Sequence, residues 1–248
     1  MTNGPKRAMV LAAGLGKRMR PITDTIPKPL VRVAGRALLD WGLDSLADAG
    51  VETAVVNVHY LPGQIVSHVA TRTAPRVVIS DESGGLLDSA GGIVRALPAL
   101  GTEPFYIVNA DTFWIDAEGS PGDAPNLARL ALAWDAARMD ILLMLAGLDQ
   151  ATGHSGSTDF RMDAAGTLRR AKGDPAGLIY AGAAIVNPAI FADAPAGPLS
   201  LNRYFDEAIA AGRLFGVRMG GSWITVGTPD AIALAEAAVE RALAVGAP

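Results

Sequence analysis

The sequence predicts an α/β fold of the Rossmann-like, doubly wound type, with a predominantly parallel sheet. The first half of the chain alternates short apolar runs, which have the length of buried strands, with segments whose apolar residues recur at helical spacing. Strand, helix and strand in this order imply crossover connections between parallel strands. Glycine-rich or acidic segments follow three of the strands, at residues 14–20, 82–92 and 109–111. Because parallel strands end at one edge of a sheet, we expect these segments to converge on one site there.

The remaining elements follow from their patterns, taken in chain order. Strands are predicted at residues 8–13, 51–58, 76–80 and 103–109. Helices are predicted between them at residues 38–47, 64–72 and 93–100, and Gly50 ends the first. After a Gly/Pro-containing loop at residues 119–125, we predict helices at 127–138, 201–211 and 229–245. Strands are expected at 141–145, 178–186, 214–218 and 222–226, and a hairpin at 158–162 and 167–171.

Composition limits the class of protein. The 248 residues are compatible with one domain spanning residues 1–248, and 50% of them are hydrophobic, which is enough for a sizeable core. The formal net charge of −4 argues against a general nucleic-acid binder. The absence of cysteine excludes disulfides and thiolate metal sites. With no visible signal peptide and no apolar run of about 18 residues, we expect a cytoplasmic protein that does not bind membranes.

The glycine-rich loop after the first strand is the first candidate site. Gly14 and Gly16 have no Cβ and tolerate positive φ, so the backbone N–H groups beside them can curl around an anion. Lys17 and Arg18 follow at the mouth of the loop, and their charge suits a polyphosphate. The loop matches neither the P-loop, which needs Gly-Lys-Ser/Thr, nor the dinucleotide fingerprint, which needs a third glycine.

Two further charged residues stand in informative positions. Lys28 lies between Pro27 and Pro29, which predicts a stiff, extended backbone that aims the cation. Asp111 follows an apolar strand, where a carboxylate can meet Mg²⁺, because hard cations prefer carboxylate and phosphate oxygens. A turn-capping role is the alternative for Asp111 when the residue is considered alone.

The string AAGLGKRM followed by PKPL resembles the sugar-1-phosphate nucleotidyltransferases, and the resemblance runs along nearly the whole chain. Within that family the chain is most similar to the compact bacterial uridylyltransferases that act on N-acetylmuramic acid 1-phosphate. The resemblance implies the nucleotidyltransferase fold, Mg²⁺ as cofactor, and UTP and a sugar 1-phosphate as substrates. N-acetylmuramic acid 1-phosphate is then the favoured acceptor, in cell-wall sugar recycling, with UDP-sugar and pyrophosphate as products. We expect a monomer or small homo-oligomer.

The resemblance also implies which residues form the site. The nucleotide-binding part is expected up to about residue 115, the sugar-binding part at about 116–228, and the C-terminal helix at 229–245. Arg18, Lys28 and Asp111 are the expected catalytic residues, and Asp111 is also the expected metal ligand. The expected nucleotide-binding residues are Leu11, Ala12, Ala13, Gly14, Gly16, Lys17, Arg18, Lys28, Glu82, Ala90 and Gly91, of which Glu82 and the backbone around Ala90-Gly91 would meet the base. Asn109, Asp159 and Gly182 match positions that face the acceptor sugar.

One departure from the family pattern keeps other functions open. Where the family commonly has a second metal carboxylate in a W-x-D-V-G-T string, this chain has Thr225. A neutral hydroxyl is a poor magnesium ligand, so Asp111, phosphates and water hold the ion, or another acid such as Asp116 substitutes, or catalysis is weak. The alternatives are therefore a guanylyltransferase for mannose or heptose 1-phosphate, and a catalytically reduced nucleotide-sugar sensor or assembly subunit.

Overall fold

The elements alternate along the chain much as predicted. The structure is a computed structural model that describes residues 4–117 and 124–245, so residues 119–123 of the predicted loop lie outside it. The strands are β1 (Arg7–Leu11), β2 (Arg32–Val33), β3 (Arg36–Ala37), β4 (Thr53–Val58), β5 (Arg76–Asp81), β6 (Phe105–Asn109), β7 (Thr112–Ile115), β8 (Ile141–Ala146), β9 (Ala151–Thr152), β10 (Phe160–Met162), β11 (Leu168–Arg170), β12 (Ile179–Val186), β13 (Leu214–Arg218) and β14 (Ser222–Thr225). The helices are α1 (Leu38–Asp48), α2 (Pro62–Val69), α3 (Asp88–Leu100), α4 (Asn126–Ala133), α5 (Leu201–Ala210) and α6 (Asp230–Val245).

A seven-stranded sheet in the order β13-β8-β12-β6-β1-β4-β5 forms the centre of the molecule. It is predominantly parallel, as predicted, because only β12 runs antiparallel to both of its neighbours. The chain passes from β1 to β4 and β5 on one side, and then returns to place β6 on the other side of β1. The strand order therefore reverses between β1 and β6, and such a switch point opens a crevice at the carboxyl ends of the strands.

Helices cover both faces of this sheet. Ala8 and Val10 belong to a buried cluster that includes Leu43 of α1, whereas Met9 belongs to a second cluster that includes Ile93 of α3. Successive strand residues point to opposite faces, so a strand with both faces covered reads as one apolar run. This is the doubly wound arrangement that the continuous apolar run at residues 8–13 indicated.

A smaller sheet and the last helix close the side of the molecule next to the crevice. Strands β7, β14 and β9 form a three-stranded sheet, and α6 packs against it through the buried side chains of Ala235 and Val239. Residues 222–226 were predicted simply as a strand, and the structure places β14 in this smaller sheet. No helix in the described part of the chain is long and apolar enough to cross a membrane.

Among the helix boundaries that differ from the prediction, two have an identifiable physical reason. α3 begins at Asp88 rather than at Ile93, because the N–H groups of Ala90 and Gly91 both donate to the Leu199 carbonyl and the glycine-rich turn is held in place by that packing. α4 ends at Ala133 rather than at residue 138. The Asp135 carboxylate accepts the Ala137 N–H there, and this local turn competes with the helix.

Candidate active site at the sheet switch point

A cavity of about 260 Å³ opens at the carboxyl ends of the central strands. The register of the strands sets the floor of this cavity. Leu11 of β1 pairs with Asn109 of β6, and Val10 of β1 pairs with Val56, the residue before Asn57 in β4. The three segments that were expected to converge do approach this edge, as the fold prediction required. The cavity is lined by Leu11, Ala12, Ala13, Gly14, Lys28, Pro29, Asn57, Leu86, Asp88, Ser89, Asn109, Ala110 and Asp111.

The glycine loop forms the rim of the cavity. Among the hydrogen bonds of the described residues, none is donated by the N–H groups of Ala13, Gly14 or Gly16, so these donors remain available to an anion. Gly16 has a φ of +61° and begins the 3₁₀ turn Lys17–Met19, and its carbonyl accepts the Thr23 hydroxyl at 2.8 Å. The Ala12 N–H is already used, because it donates to Asn57 Oδ1 at 2.7 Å.

The two cations of the loop lie outside the cavity wall. The side chains of Lys17 and Arg18 are exposed, and neither lines the cavity. Arg18 is close to the backbone of the C-terminal string, since a Cβ added to Gly227 would lie 3.6 Å from Arg18 Nη1. The fold therefore brings the N-terminal loop and the string that contains Thr225 to the same side of the site.

Lys28 and Asp111 meet in the cavity. Lys28 Nζ donates to Asp111 Oδ2 at 2.7 Å, and Lys28 is 9% exposed. Lys28 was expected on extended backbone, but it begins the 3₁₀ turn Lys28–Leu30, in which the Leu30 N–H donates to the Pro27 carbonyl. Pro29 is compatible with this turn because a residue near the start of a helical turn needs no N–H donor. The lysine is still held in one direction, although by a turn and not by an extended strand.

The surroundings of Asp111 show what can share a metal with it. Thr225 pairs with Thr112 across β14 and β7, and the Val226 N–H donates to the Asp111 carbonyl at 3.1 Å. The backbone of the C-terminal string therefore stands beside Asp111. Asp116 lies beyond the other end of β7, five residues away or roughly 16 Å at about 3.3 Å per strand residue, so it is too distant to be a substitute ligand.

The donor set fits a magnesium ion that is held largely by substrate. Asp111 lines the cavity with a side chain that is 39% exposed, and it offers hard oxygen ligands. In residues 4–117 and 124–245, no cluster of three or more carboxylate, histidine or cysteine side chains could hold a metal by itself. Mg²⁺ usually combines one or two carboxylates with phosphate oxygens and water, which matches one aspartate beside a loop with available N–H donors.

The three residues expected at the base lie behind the cavity wall. Glu82 is 1% exposed, and its two oxygens accept the Asn57 amide at 2.7 Å and the Leu87 N–H at 3.2 Å. Ala90 and Gly91 are buried in α3, where a Cβ on Gly91 would lie 2.6 Å from the Gly197 carbonyl. Glu82 therefore acts on the cavity through Asn57, which it orients, and the wall on this side is formed by Leu86, Asp88 and Ser89.

Asn57 and Asp88 were missed by the sequence reasoning, although each carried a signal. Asn57 is a polar residue inside the apolar strand Thr53–Val58, and a buried amide needs partners, which here are the Ala12 N–H and Glu82. Asp88 has a φ of +60°, an uncommon conformation for a residue with a side chain, and such strain is frequent at functional sites. Only the first of these signals can be seen without coordinates.

The residues expected at the sugar are divided between two places. Asn109 and Asp159 line a second cavity of about 270 Å³, which adjoins the first because both contain Leu11, Ser89 and Asn109. Asp159 Oδ2 accepts the Tyr180 N–H at 2.9 Å. Gly182 is buried and lines neither cavity. With a φ of +80° in the bulge of β12, it allows that strand to pass Asn109 and Thr112 closely.

Comparison with known proteins assigns the family. Residues 8–120 match the MobA-like NTP transferase domain. N-acetylmuramate alpha-1-phosphate uridylyltransferase of Caulobacter vibrioides is 46% identical over 247 residues, which is 98% of this chain and 100% of the relative. The protein of the same name from Neisseria meningitidis serogroup B is 35% identical and covers 90% of this chain and 93% of its own length.

A solved structure supports the fold. The inositol-1-phosphate CTP transferase from T. maritima superposes with a TM-score of 0.73 at 18% identity, covering 97% of this chain and 98% of that one. The chain therefore belongs to the family of sugar-1-phosphate nucleotidyltransferases that includes the bacterial N-acetylmuramate alpha-1-phosphate uridylyltransferases.

Proposed function

We propose that this protein transfers the uridylyl group of UTP to N-acetylmuramic acid 1-phosphate and releases UDP-N-acetylmuramic acid and pyrophosphate. The observation that carries the proposal is the cavity at the switch point, where the Lys28–Asp111 pair faces a rim of unused backbone N–H groups. The choice of nucleotide and acceptor rests on the two relatives that match nearly the whole chain.

Nucleotidyl transfer requires that the reacting groups be positioned and their charges neutralised more than it requires proton transfer. A phosphate oxygen of the sugar 1-phosphate, already an anion, forms a bond to the α-phosphorus of UTP. The bond between that phosphorus and the bridging oxygen of the β-phosphate breaks, and pyrophosphate leaves with the electron pair. Lys28 would neutralise charge on the reacting phosphate, and the loop from Ala13 to Gly16 would bind the triphosphate through its N–H groups. Arg18 would reach the β- and γ-phosphates from the rim.

Asp111 would hold Mg²⁺ together with phosphate oxygens of the nucleotide. Bound there, the ion would reduce the negative charge that repels the incoming sugar phosphate. Lys28 Nζ donates to Asp111 Oδ2, and the phosphates of a bound nucleotide would compete with this carboxylate for the ammonium. The Thr225 hydroxyl, a neutral oxygen, would stay outside the inner coordination sphere.

The two cavities suggest how the substrates share the site. We assign the nucleotide to the part of the chain up to about residue 115 and the acceptor to about 116–228. Asn109 lines both cavities and would stand at the junction, near the reacting phosphate. Leu86, at the wall of the first cavity, is 38% exposed and offers an apolar surface to the base.

The decisive experiment is a matrix of nucleoside triphosphates against sugar 1-phosphates with Mg²⁺, measured by pyrophosphate release. We expect UTP with N-acetylmuramic acid 1-phosphate to give the highest kcat/KM. A preference for GTP with mannose or heptose 1-phosphate would support the guanylyltransferase alternative. Nucleotide binding without pyrophosphate release from any pair would support a sensor or assembly subunit.

A further inference from the structure

The second cavity contains an arginine whose position is fixed by its neighbours. Arg170 ends strand β11, and its guanidinium lies over the Phe160 ring at 4.8 Å from the centroid. Its Nε donates to Asp206 at 2.8 Å, and its Nη2 donates to Asn202 Oδ1 at 3.0 Å. In the described residues Arg170 Nη1 donates to no acceptor, so the held guanidinium keeps donors for a ligand.

The ion pair that Arg170 makes is open to water. Asp206 is the only acid within salt-bridge distance among the described residues, and its side chain is 63% exposed. An ion pair that is so open to water contributes little, and an anion in the cavity can compete with it. Asp159 faces the same cavity and accepts the Tyr180 N–H through its Oδ2, but it lies beyond salt-bridge distance of Arg170. The guanidinium is therefore available to a negatively charged ligand group.

Tyr180 also lines this cavity. Its hydroxyl oxygen is buried and, among the described residues, has no hydrogen-bond partner. Burial raises the pKa of the Tyr180 hydroxyl, so it remains a neutral donor at neutral pH. A buried hydroxyl without a partner is costly, and such groups are often completed by a ligand or water.

We propose that Arg170 recognises an acidic substituent of the acceptor sugar and so selects acidic over neutral sugar 1-phosphates. The inference rests on the proposed function and adds the residue that sets its acceptor specificity. The 1-phosphate would lie toward Asn109, which the two cavities share, and the ring would extend toward Arg170. N-acetylmuramic acid differs from N-acetylglucosamine by a lactyl ether that ends in a carboxylate, which can accept a charged hydrogen bond from Arg170 Nη1.

The test compares the kcat/KM of the two acceptors, N-acetylmuramic acid 1-phosphate and N-acetylglucosamine 1-phosphate, at saturating UTP and Mg²⁺. Arg170→Gln should lower the value for the acidic acceptor by on the order of 10–100-fold, the range for losing a charged hydrogen bond, and leave the neutral acceptor nearly unchanged. Arg169→Gln is the matched control, because it removes the same charge from the neighbouring position of β11, whose side chain does not line this cavity.

Arg170→Lys keeps the charge without the planar fork, and we expect an intermediate loss that is again confined to the acidic acceptor. This variant also decides the question if Arg170→Gln does not fold, which thermal unfolding would show. Equal losses for both acceptors would place Arg170 at the 1-phosphate and overturn the inference while leaving the proposed function intact. A parent enzyme that prefers the neutral acceptor would overturn both the acceptor assignment and the role of Arg170.

Discussion

The Lys28 ammonium and the Asp111 carboxylate form an ion pair, with Nζ 2.7 Å from Oδ2. In the proposed complex each of them has a partner of higher charge, because a triphosphate attracts the lysine and a divalent cation attracts the aspartate. The ion pair therefore positions both side chains, and the substrate and the metal can replace it. Single substitutions at these positions separate the two roles.

Lys28→Ala should slow turnover by about 10²–10³-fold, because one electrostatic contact to the reacting phosphate is lost. The fold should remain intact, since Asp111 is 39% exposed and water can solvate it when its partner is removed. The measurement is pyrophosphate release together with thermal unfolding. Lys17→Ala is the control, an exposed cation outside the cavity wall, and we expect a much smaller effect. Near-parental turnover in Lys28→Ala would remove this residue from the mechanism.

Asp111→Asn should reduce activity by on the order of 10²-fold or more at any practical Mg²⁺ concentration, because the carboxylate ligand is lost. Thr225→Ala should change activity only slightly, since phosphate oxygens outcompete a neutral hydroxyl for a hard dication. Activity measured against Mg²⁺ concentration for the parent and both variants tests this assignment. The free protein should also bind Mg²⁺ weakly, and its affinity should rise when UTP is present. Greater damage from Thr225→Ala would show that the metal is held differently.

At the scale of elements, the bulge in β12 determines how closely the antiparallel strand approaches the site. Gly182 sits in the bulge between Tyr180 and Ala184, and a Cβ there would lie 2.4 Å from Thr112 Oγ1. The bulge thus sets the distance between β12 and the strand end that carries Asn109. Its effect on the site is structural, through close packing, and direct contact with the sugar is not required.

Gly182→Ala should lower the free energy of unfolding by about 2–4 kcal/mol, which combines the strain of a positive φ with overpacking against Thr112. Gly212→Ala is the matched control, because Gly212 also has a positive φ, of +66°, but no atom lies within 4 Å of an added Cβ. We expect it to lose about 1–2 kcal/mol, the cost of a left-handed conformation without the overpacking. Urea unfolding of both variants measures the difference, and equal losses would mean that the packing at the bulge relaxes freely.

For the molecule as a whole, Asp116 contributes a pH dependence to stability. Burial raises its pKa above the ordinary value of 3.8, although hydrogen bonds from Asn126 act in the opposite direction. An acid with a raised folded-state pKa binds its proton more tightly in the folded state. Ionisation of Asp116 therefore costs stability, and that cost develops as the pH rises from about 3.8 through the folded pKa.

Asp116→Asn removes this titration while keeping an oxygen that can accept the Asn126 N–H. The free energy of unfolding of the variant minus that of the parent should therefore be larger at neutral pH than below a pH of about 3.8. Urea unfolding at a series of pH values provides the comparison. A stability difference that does not change across this range would show that Asp116 ionises as easily in the folded protein as in the unfolded chain.

Several features of this protein were determined by local sequence. The apolar runs of β1, β4 and β6 predicted a parallel sheet, because a strand buried on both faces has no polar side. The glycine loop predicted an anion-binding site, because few residues other than glycine allow that backbone conformation. The switch-point cavity, with Asn109 and Asp111 at its edge, followed from the order of these elements. The family resemblance then added UTP, N-acetylmuramic acid 1-phosphate and Mg²⁺ as predictions.

Other features were decided only by tertiary contacts, since they depend on partners far away in the chain. The sequence does not show that Glu82 is turned inward to hold Asn57, because that bond joins neighbouring strands 25 residues apart. The early start of α3 depends on the Leu199 carbonyl, and the exclusion of Asp116 depends on the direction of β7. Arg170 reaches the second cavity because β11 and α5 pack together and orient its guanidinium. The neighbours of a side chain, rather than its residue type, decide whether it lines a cavity, as Arg170 does, or orients a residue that lines one, as Glu82 does.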